Sequence, residues 1–227
     1  MKKRVGFTLV ELVLAVFIFS YIAASMATIY STTNRHMFQN YRRNVIKGNV
    51  MIAMRAIQNN LTVATRLDAP TPGNRGNVLA FATNVDQLTA CYPLAAGVPA
   101  AWHYFCLAND PLIAGSRNLY YHTAQLPGGS SCGSAAPSFW NGVYPVPTCG
   151  AGIGGQTVTL LMRHVSPSAD MGSVLFSRVN ADGAVGVGSV RVLLRSFWQA
   201  SSRGLGAAQR DVDFALDSVI TMNRATN

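Results

Sequence analysis

The feature that most constrains the fold is an uncharged stretch near the amino terminus. Neither acidic residues nor Lys or Arg occur from Leu12 to Asn34, and the part from Leu12 to Tyr30 is strongly apolar. About 20 apolar residues are enough for a helix to cross the hydrocarbon core of a bilayer. The stretch therefore predicts a membrane-spanning helix. Only 12% of the 227 residues are charged, which is typical of a globular or membrane-anchored chain rather than a disordered one.

Glu11 stands at the head of this stretch, within GFTLVELVLAVF, residues 6–17. A charged side chain at the centre of a membrane helix costs about 2.5–3.5 kcal/mol on insertion scales, so its presence requires a reason. Three interpretations are open. The segment is a plain single-pass anchor, or a secretory signal peptide with the basic start MKKR and a small-residue cleavage site at Ser25–Ala27. The third is cleavage on the cytoplasmic side, between Gly6 and Phe7.

The third interpretation gives Glu11 a role that the other two do not. Cleavage after Gly6 makes Phe7 the new amino terminus and places Glu11 in the first turns of a helix, where the helix dipole favours negative charge. When subunits pack together, the carboxylate can pair with the terminal ammonium of a neighbour. A buried carboxylate is tolerated when it is paired and is costly when it is alone. Such a charge pair would set the register of an assembling helical bundle.

The sequence KKRVG-FTLVE with an apolar helix behind it resembles the class III leader of type IV pilins and pseudopilins. The short basic leader and Gly6, Phe7, Thr8, Leu9 and Glu11 all match that family's pattern. The resemblance implies that a prepilin peptidase, an aspartyl protease of the inner membrane, cuts after Gly6 and methylates the amine of Phe7. It also implies three kinds of partner: other major and minor pilins or pseudopilins, an inner-membrane assembly platform, and the ATPase that drives it.

Two details narrow the resemblance. Many major pilins have a proline where this chain has Thr28, which predicts a less kinked helix and favours a minor subunit. The ending SVITMNRATN, residues 218–227, is similar to the C-terminal strand of larger minor subunits. These are the W-type minor pilins and the J-type pseudopilins of type II secretion. Glu11 argues against the tip subunit that usually lacks this carboxylate.

The helix is expected to continue beyond the membrane. Apolar side chains in 35–67 recur at steps of three and four, which predicts one helical face packed against a sheet. They are Phe38, Tyr41, Val45, Ile46, Val50, Met54, Ile57 and Leu61. The proline and glycine residues of DAPTPGNRG, 68–76, end the helix. The predicted organisation is a leader (1–6), a transmembrane half-helix (7–30), an amphipathic half-helix (31–67) and a globular β domain (68–227).

The remainder of the chain predicts β structure. Stretches that read as strands are 77–83, 118–123, 156–164, 172–179, 188–198 and 210–223, the last with room for a bulge. NADG at 180–183 predicts a hairpin turn. Consecutive strands without helices between them predict an antiparallel sheet. The expected fold is therefore α+β: a long N-terminal helix, membrane-spanning in its first half, packed on an antiparallel β-sheet, which is the layout of pilin-like proteins.

The four cysteines predict disulfides. Cys91, Cys106, Cys132 and Cys149 form no C-x-x-C pair, so a structural zinc site is poorly supported. An even number in an exported domain favours two disulfides, which would staple the turn-rich loops. Four cysteines allow three connectivities, all of them open. The sequential pairing, Cys91 with Cys106 and Cys132 with Cys149, closes the shortest loops and is preferred.

Sequence signals that suggest other functions lack their structural context. GAGIGG at 150–155 spells the dinucleotide fingerprint, but it precedes a predicted strand rather than a helix. His103 and Cys106 suggest a nucleophile pair, yet Cys106 is expected in a disulfide. The D-x-[DN]-x-[DN]-G calcium loop does not occur, although irregular calcium loops stay open. The net charge of +9 is scattered and accompanies no nucleic-acid-reading element. We expect no catalytic residue, no metal, no cofactor and no firm nucleic-acid partner.

The sequence thus predicts a structural subunit rather than an enzyme. We expect a minor pilin or pseudopilin, held in the inner membrane by a single pass, in contact with lipid and with its C-terminal domain in the periplasm. It would then enter a type IV pilus or a type II secretion pseudopilus, at or near the tip or during initiation. One alternative is a filament-borne adhesin or DNA-uptake subunit, with loop aromatics as contacts: Trp102, Tyr104, Phe139, Trp140 and Tyr144. Another is an exported soluble enzyme or binding protein, released by signal peptidase after Ala27.

Overall fold

A single helix begins the described part of the chain. The structure, a computed structural model, describes residues 8–112, 116–126, 128, 130, 148–151, 156–186, 188–198 and 212–223. Helix α1 runs from Leu9 to Thr62, 54 residues, and is helical at Thr28. Contacts divide the chain into two units, Met1–Asn44 and Val45–Asn227, each described below by itself. The long apolar helix expected at the amino terminus is confirmed.

Helix α1 ends at Thr62 rather than at the predicted residue 67. Shortly after this end, Thr65 is buried, and its backbone N–H donates a hydrogen bond to the carbonyl of Ala82 at 2.9 Å. The following residues, Arg66–Ala69, form a strand. Sheet pairing therefore takes the backbone groups that would otherwise have extended the helix. The carbonyl of Thr62 accepts the backbone N–H of Asn223 at 3.1 Å, which satisfies one of the free carbonyls at the helix end.

Nine strands form one antiparallel sheet within the described residues. They are β1 (Arg66–Ala69), β2 (Arg75–Gly76), β3 (Val78–Thr83), β4 (Ala101–Asn109), β5 (Arg117–Gln125), β6 (Thr157–Val165), β7 (Phe176–Ser177), β8 (Ser189–Trp198) and β9 (Val212–Thr221). Their spatial order is β1-β3-β4-β5-β6-β8-β7-β2, and β9 pairs with β8 outside this path. The strands predicted at 77–83, 118–123, 156–164, 188–198 and 210–223 are confirmed as β3, β5, β6, β8 and β9.

The second half of α1 packs an apolar face on this sheet. Its buried side chains recur at three- and four-residue steps: Ile46, Val50, Ala53, Met54, Ile57 and Leu61. They share one core with strand residues that include Leu79, Phe81, Phe105, Leu119, Met162, Val192 and Leu194. Burying one such large apolar side chain contributes about 1.5–3 kcal/mol. The predicted α+β fold is therefore confirmed, although Phe38 and Tyr41, predicted to continue this face, are exposed.

The opposite face of β4 is buried as well. Phe105 lies in the core that faces α1, whereas Trp102, Tyr104 and Cys106 belong to a second apolar cluster. That cluster also includes loop residues from the stretch between β3 and β4: Val85, Ala90, Tyr92 and Ala100. Burial on both faces removes the apolar–polar alternation that marks a half-exposed strand. Because this segment also contains no Val, Ile or Thr, the sequence did not predict Ala101–Asn109 as a strand.

The region before β8 contains more turn than predicted. Within the stretch 172–179, only β7 is a strand. NADG forms a 3-10 turn at Asn180–Asp182 that ends at Gly183, whose φ is 86°. Strands β7 and β8 are antiparallel neighbours, but their connection is longer than a two-residue hairpin. The bulge considered for the last strand does not occur, because β9 pairs with β8 in continuous register from Ser189–Thr221 to Trp198–Val212.

A polar network joins the sheet to the second half of α1. The hydroxyl of Tyr121 donates to Oδ1 of Asn60 on the helix at 3.1 Å, and Nδ1 of His103 lies 2.7 Å from the same hydroxyl oxygen. Because that hydroxyl proton points to Asn60, Nδ1 of His103 carries a proton and donates. The His103 ring also stacks on Phe81, with ring centroids 5.0 Å apart. Burial lowers the pKa of His103 to about 4, so the ring is neutral at neutral pH.

We expect His103→Gln to reduce the acid sensitivity of folding. The pKa of His103 is about 4 in the folded chain and 6.5 ordinarily, so between these values the unfolded chain binds more protons. The stability due to the neutral ring is complete above the ordinary value and is lost as pH falls towards the folded value. The loss is on the order of 1–3 kcal/mol. It is measured as the free energy of unfolding of the full chain in detergent micelles, by denaturant titration across this window.

Tyr121→Phe is the matched control, because it removes the hydroxyl but keeps the buried histidine. It should lower stability at every pH while retaining the acid-dependent loss. Equal acid sensitivity in wild type and His103→Gln would contradict the assignment of this loss to His103.

Candidate functional site

Glu11 lies in the first turn of α1 and caps its start. Its Oε2 accepts hydrogen bonds from the backbone N–H and from the hydroxyl of Thr8, both at 3.0 Å. The hydroxyl oxygen of Thr8 accepts the backbone N–H of Glu11 at 3.3 Å. This reciprocal arrangement is a capping box, which satisfies free N–H groups at a helix start. The T-x-x-E spacing is its sequence signature. The prediction of Glu11 as a charge partner did not use that signal.

The capped carboxylate of Glu11 is still accessible. The side chain is exposed, and both hydrogen bonds from Thr8 go to Oε2. Within the described residues, Oε1 makes no hydrogen bond. Glu11 can therefore cap its own helix and accept a cation from another molecule at the same time.

The first half of α1 presents its apolar side chains outward. Leu9 is 80% exposed, and Phe17 and Phe19 are each 73% exposed. In the part of the chain that the structure describes, α1 is the one helix long and apolar enough to span a membrane, and none of its apolar window is buried. An exposed apolar surface of this extent marks a membrane or interaction site. The segment is consistent with a single-pass membrane protein.

The serine and threonine hydroxyls between Leu9 and Tyr30 are satisfied by the helix itself. Ser20 donates to the carbonyl of Val16 at 2.7 Å, and Ser25 donates to that of Tyr21 at 2.8 Å. Thr28 donates to the carbonyl of Ser25 at 2.7 Å. In lipid, polar groups must find partners within the protein, because the hydrocarbon core offers none. These side chains therefore do not oppose burial of the helix in an apolar environment.

The predicted processing site lies outside the described residues. Gly6 and Phe7 directly precede Thr8, the first residue that the structure describes. Cleavage between them and methylation of Phe7 stay predictions. The structure adds that a capped helix begins at Leu9, close behind the proposed new amino terminus.

A disulfide links Cys106 on β4 to Cys149, with Cα atoms 5.9 Å apart. The preferred sequential pairing, in which Cys106 would bond Cys91, is therefore wrong. Cys106 projects from the face of β4 that points away from α1, and the turn that carries Cys149 packs against this same face. The disulfide pairing is therefore decided by which segments pack on this face of β4 and not by their separation in the sequence. Cys91 is also disulfide-bonded, and Cys132 lies outside the described residues.

His122 on β5 lies fully buried beside this disulfide. Its Nε2 accepts the backbone N–H of Gly150 at 3.1 Å, and its Nδ1 lies 3.4 Å from Oε1 of Gln156. Because a backbone N–H can only donate, Nε2 carries the lone pair and Nδ1 carries the proton. Burial lowers the pKa of His122, which favours this neutral ring. Gly150 has a φ of 83°, and an added Cβ would lie 3.1 Å from the ring of Tyr120, so this turn requires glycine.

Two of the aromatic residues considered as adhesive contacts are part of the core. Trp102 is 3% exposed and Tyr104 is 6% exposed, so neither offers a surface to a ligand. Phe139, Trp140 and Tyr144 lie outside the described residues.

The nucleophile pair considered from the sequence is not formed. Cys106 is in a disulfide, and its side chain lies in the second apolar cluster. His103 points to the other face of β4, where it contacts Tyr121.

A long apolar helix packed on an antiparallel sheet, with a disulfide in the sheet domain, is compatible with the pilin-like fold. Comparisons of the chain with protein-family models, with curated proteins and with solved structures found no match.

We expect Cys106 to be found linked to Cys149 when the unreduced protein is digested and its peptides are identified by mass spectrometry. The double variant Cys106→Ser/Cys149→Ser should lose about 2–5 kcal/mol of unfolding free energy, the usual cost of removing a native disulfide from a small exported domain. Denaturant titration of the full chain measures this loss. A linked peptide joining Cys91 to Cys106 would contradict the described pairing.

Proposed function

We propose that this chain is a minor pilin or pseudopilin. Its precursor is held in the inner membrane by the first half of α1, with the sheet domain on the periplasmic side. A prepilin peptidase cuts between Gly6 and Phe7 and methylates Phe7. The processed subunit then leaves the lipid and joins other subunits in a type IV pilus or a type II secretion pseudopilus.

The observation that carries this proposal is the start of α1. A capped helix begins at Leu9, two residues beyond the proposed new terminus at Phe7, and continues as an exposed apolar surface. A helix that only anchors a domain can use Glu11 as a cap through Oε2, but glutamine would serve that purpose and no charge is needed at this point. A helix that packs beside other processed helices can use a charged carboxylate, because each cleavage leaves a terminal ammonium with which it can pair.

The two carboxylate oxygens of Glu11 have different functions. Oε2 holds the capping box with Thr8, which fixes the direction of the side chain. Oε1 remains able to accept the ammonium of Phe7 from an adjacent subunit. A charge pair that forms only in one register, in an apolar bundle, selects that register, since an unpaired charge there costs about 3–5 kcal/mol.

The proposed partners are those that the resemblance to pilins and pseudopilins implies. They are the prepilin peptidase, the inner-membrane assembly platform, and the pilins or pseudopilins that contribute neighbouring helices. The proposed position is at or near the filament tip, or in initiation of assembly, because the chain is similar to larger minor subunits at residues 218–227. An adhesive role has little support from Trp102 and Tyr104, since both side chains are buried.

Glu11→Gln tests the charge directly, because glutamine can keep the capping box but cannot pair with an ammonium. We expect this variant to be processed at the wild-type level in the native host. Its share in sheared filaments, relative to the major subunit on immunoblots, should fall at least about tenfold, since about 1.4 kcal/mol already corresponds to that factor.

Thr8→Val is the matched control, because it removes the capping hydroxyl and keeps the carboxylate. This variant should enter filaments at close to the wild-type level. If Glu11→Gln is incorporated normally while Thr8→Val is not, Glu11 acts through the helix cap and the proposed pairing is wrong.

A further inference from the structure

Three metal-ligating side chains meet at the disulfide of the second apolar cluster. The donor atoms of Cys106, His122 and Cys149 all lie within 4.8 Å of one another. They come from β4, from β5 and from the turn at Thr148–Ala151, so only the fold brings them together. We propose that, when the Cys106–Cys149 disulfide is reduced, these three side chains bind one zinc ion. This inference does not depend on the proposed filament function.

The donor chemistry is suited to zinc. Two thiolates and one imidazole are common zinc ligands, with Zn–S distances of about 2.3 Å and Zn–N distances of about 2.0–2.1 Å. Tetrahedral angles then place neighbouring donors about 3.5–3.8 Å apart. All donor atoms of the present cluster already lie within 4.8 Å of one another, and breaking the disulfide lets the two sulfur atoms move apart to the zinc spacing.

His122 already has the tautomer that such a site requires. Its Nε2 carries a lone pair aimed at the turn, where it now accepts the N–H of Gly150. Its Nδ1–H faces Oε1 of Gln156, and a second hydrogen bond of this kind is what usually orients a metal-binding histidine. Since the ring is fully buried and neutral, no proton has to leave it when the metal arrives.

Within the described residues, the site is open on one side. Cys106 and His122 are buried, whereas Cys149 is half-buried on its turn. A zinc ion with three protein ligands therefore keeps its fourth position towards solvent, for water or an exogenous ligand.

The redox step is a thiol–disulfide exchange. A dithiol reductant supplies two electrons and two protons, becomes a disulfide itself, and leaves Cys106 and Cys149 as thiols. Zinc binding then displaces both thiol protons to solvent. A disulfide oxidant reverses these steps: it accepts the two electrons, becomes a dithiol, re-forms the Cys106–Cys149 bond and releases the ion. The turn at Cys149 is held on the same face of the sheet in both states, first by the metal and then by the disulfide.

The test uses the full chain in detergent micelles, with Co²⁺ as a spectroscopic probe and Zn²⁺ as its competitor. Reduced wild type should bind one Co²⁺ per chain, with the thiolate charge-transfer band and the visible bands of a tetrahedral site, and Zn²⁺ should displace it. Oxidised wild type should show neither band. Cys91→Ser/Cys132→Ser, in which the other thiols are absent, should bind as the wild type does.

His122→Gln and His103→Gln form the decisive pair. In His122→Gln the new amide would still accept the N–H of Gly150, but the imidazole is gone, so affinity should fall at least about tenfold. His103→Gln removes a half-buried strand histidine on the opposite face and should bind normally. Equal affinities in these two variants would overturn the proposal, because an unfolded chain that uses its thiols alone gives that result. So would a reduced wild type without the cobalt bands, or loss of binding in Cys91→Ser/Cys132→Ser.

Discussion

The exposed apolar surface of the first half of α1 is the constraint on which the rest of this molecule depends. Each large apolar side chain left in water forgoes about 1.5–3 kcal/mol, so this half-helix must be covered by lipid or by protein. Lipid chains and neighbouring apolar helices offer similar surroundings, which means that hydrophobicity alone does not favour one over the other. The preference for a lipid or a protein environment then depends on the few polar groups that the segment carries.

In the proposed function, Glu11 is the polar group that favours packing against other subunits over lipid. The hydroxyls of Ser20, Ser25 and Thr28 are satisfied by their own helix and are indifferent to what surrounds it. The carboxylate of Glu11 is only half used by its capping box with Thr8. A cap and a charge pair are compatible because they use different oxygens. This also means that substitutions of Glu11 to apolar residues change two properties at once and do not distinguish them.

The sheet domain depends on the residues that cover the two faces of strand β4. Strand β4 is buried on both faces, by α1 on one side and by loop residues with small side chains on the other, such as Ala90 and Ala100. Loops have little apolar surface of their own, and the Cys106–Cys149 bond fastens one of them to this face. His122 lies beside that bond. Together with the two cysteines it forms the proposed site, which alternates between a disulfide and a bound metal ion.

The elements that could be predicted from the sequence have a regular apolar pattern or form a run rich in β-branched residues between turns. Strand β9 alternates buried and exposed residues and was predicted, as was the apolar stripe of α1 from Ile46 to Leu61. Strand β4 was missed because both its faces are buried and its sequence, AWHYFCLAN, contains no Val, Ile or Thr. The pairing of Cys106 with Cys149 depends on which face of β4 each side chain meets, which no spacing reveals. His122 lies far from both cysteines in sequence, and only the sheet places it beside them.

The most direct measurement is the mass of the amino-terminal peptide of the protein isolated from its native membranes or filaments. The account predicts a chain that begins with N-methylated Phe7, retains Glu11 and the whole apolar segment, and lacks residues 1–6. A chain that still begins at Met1, or one that begins near Thr28 after removal of the apolar segment, would contradict it.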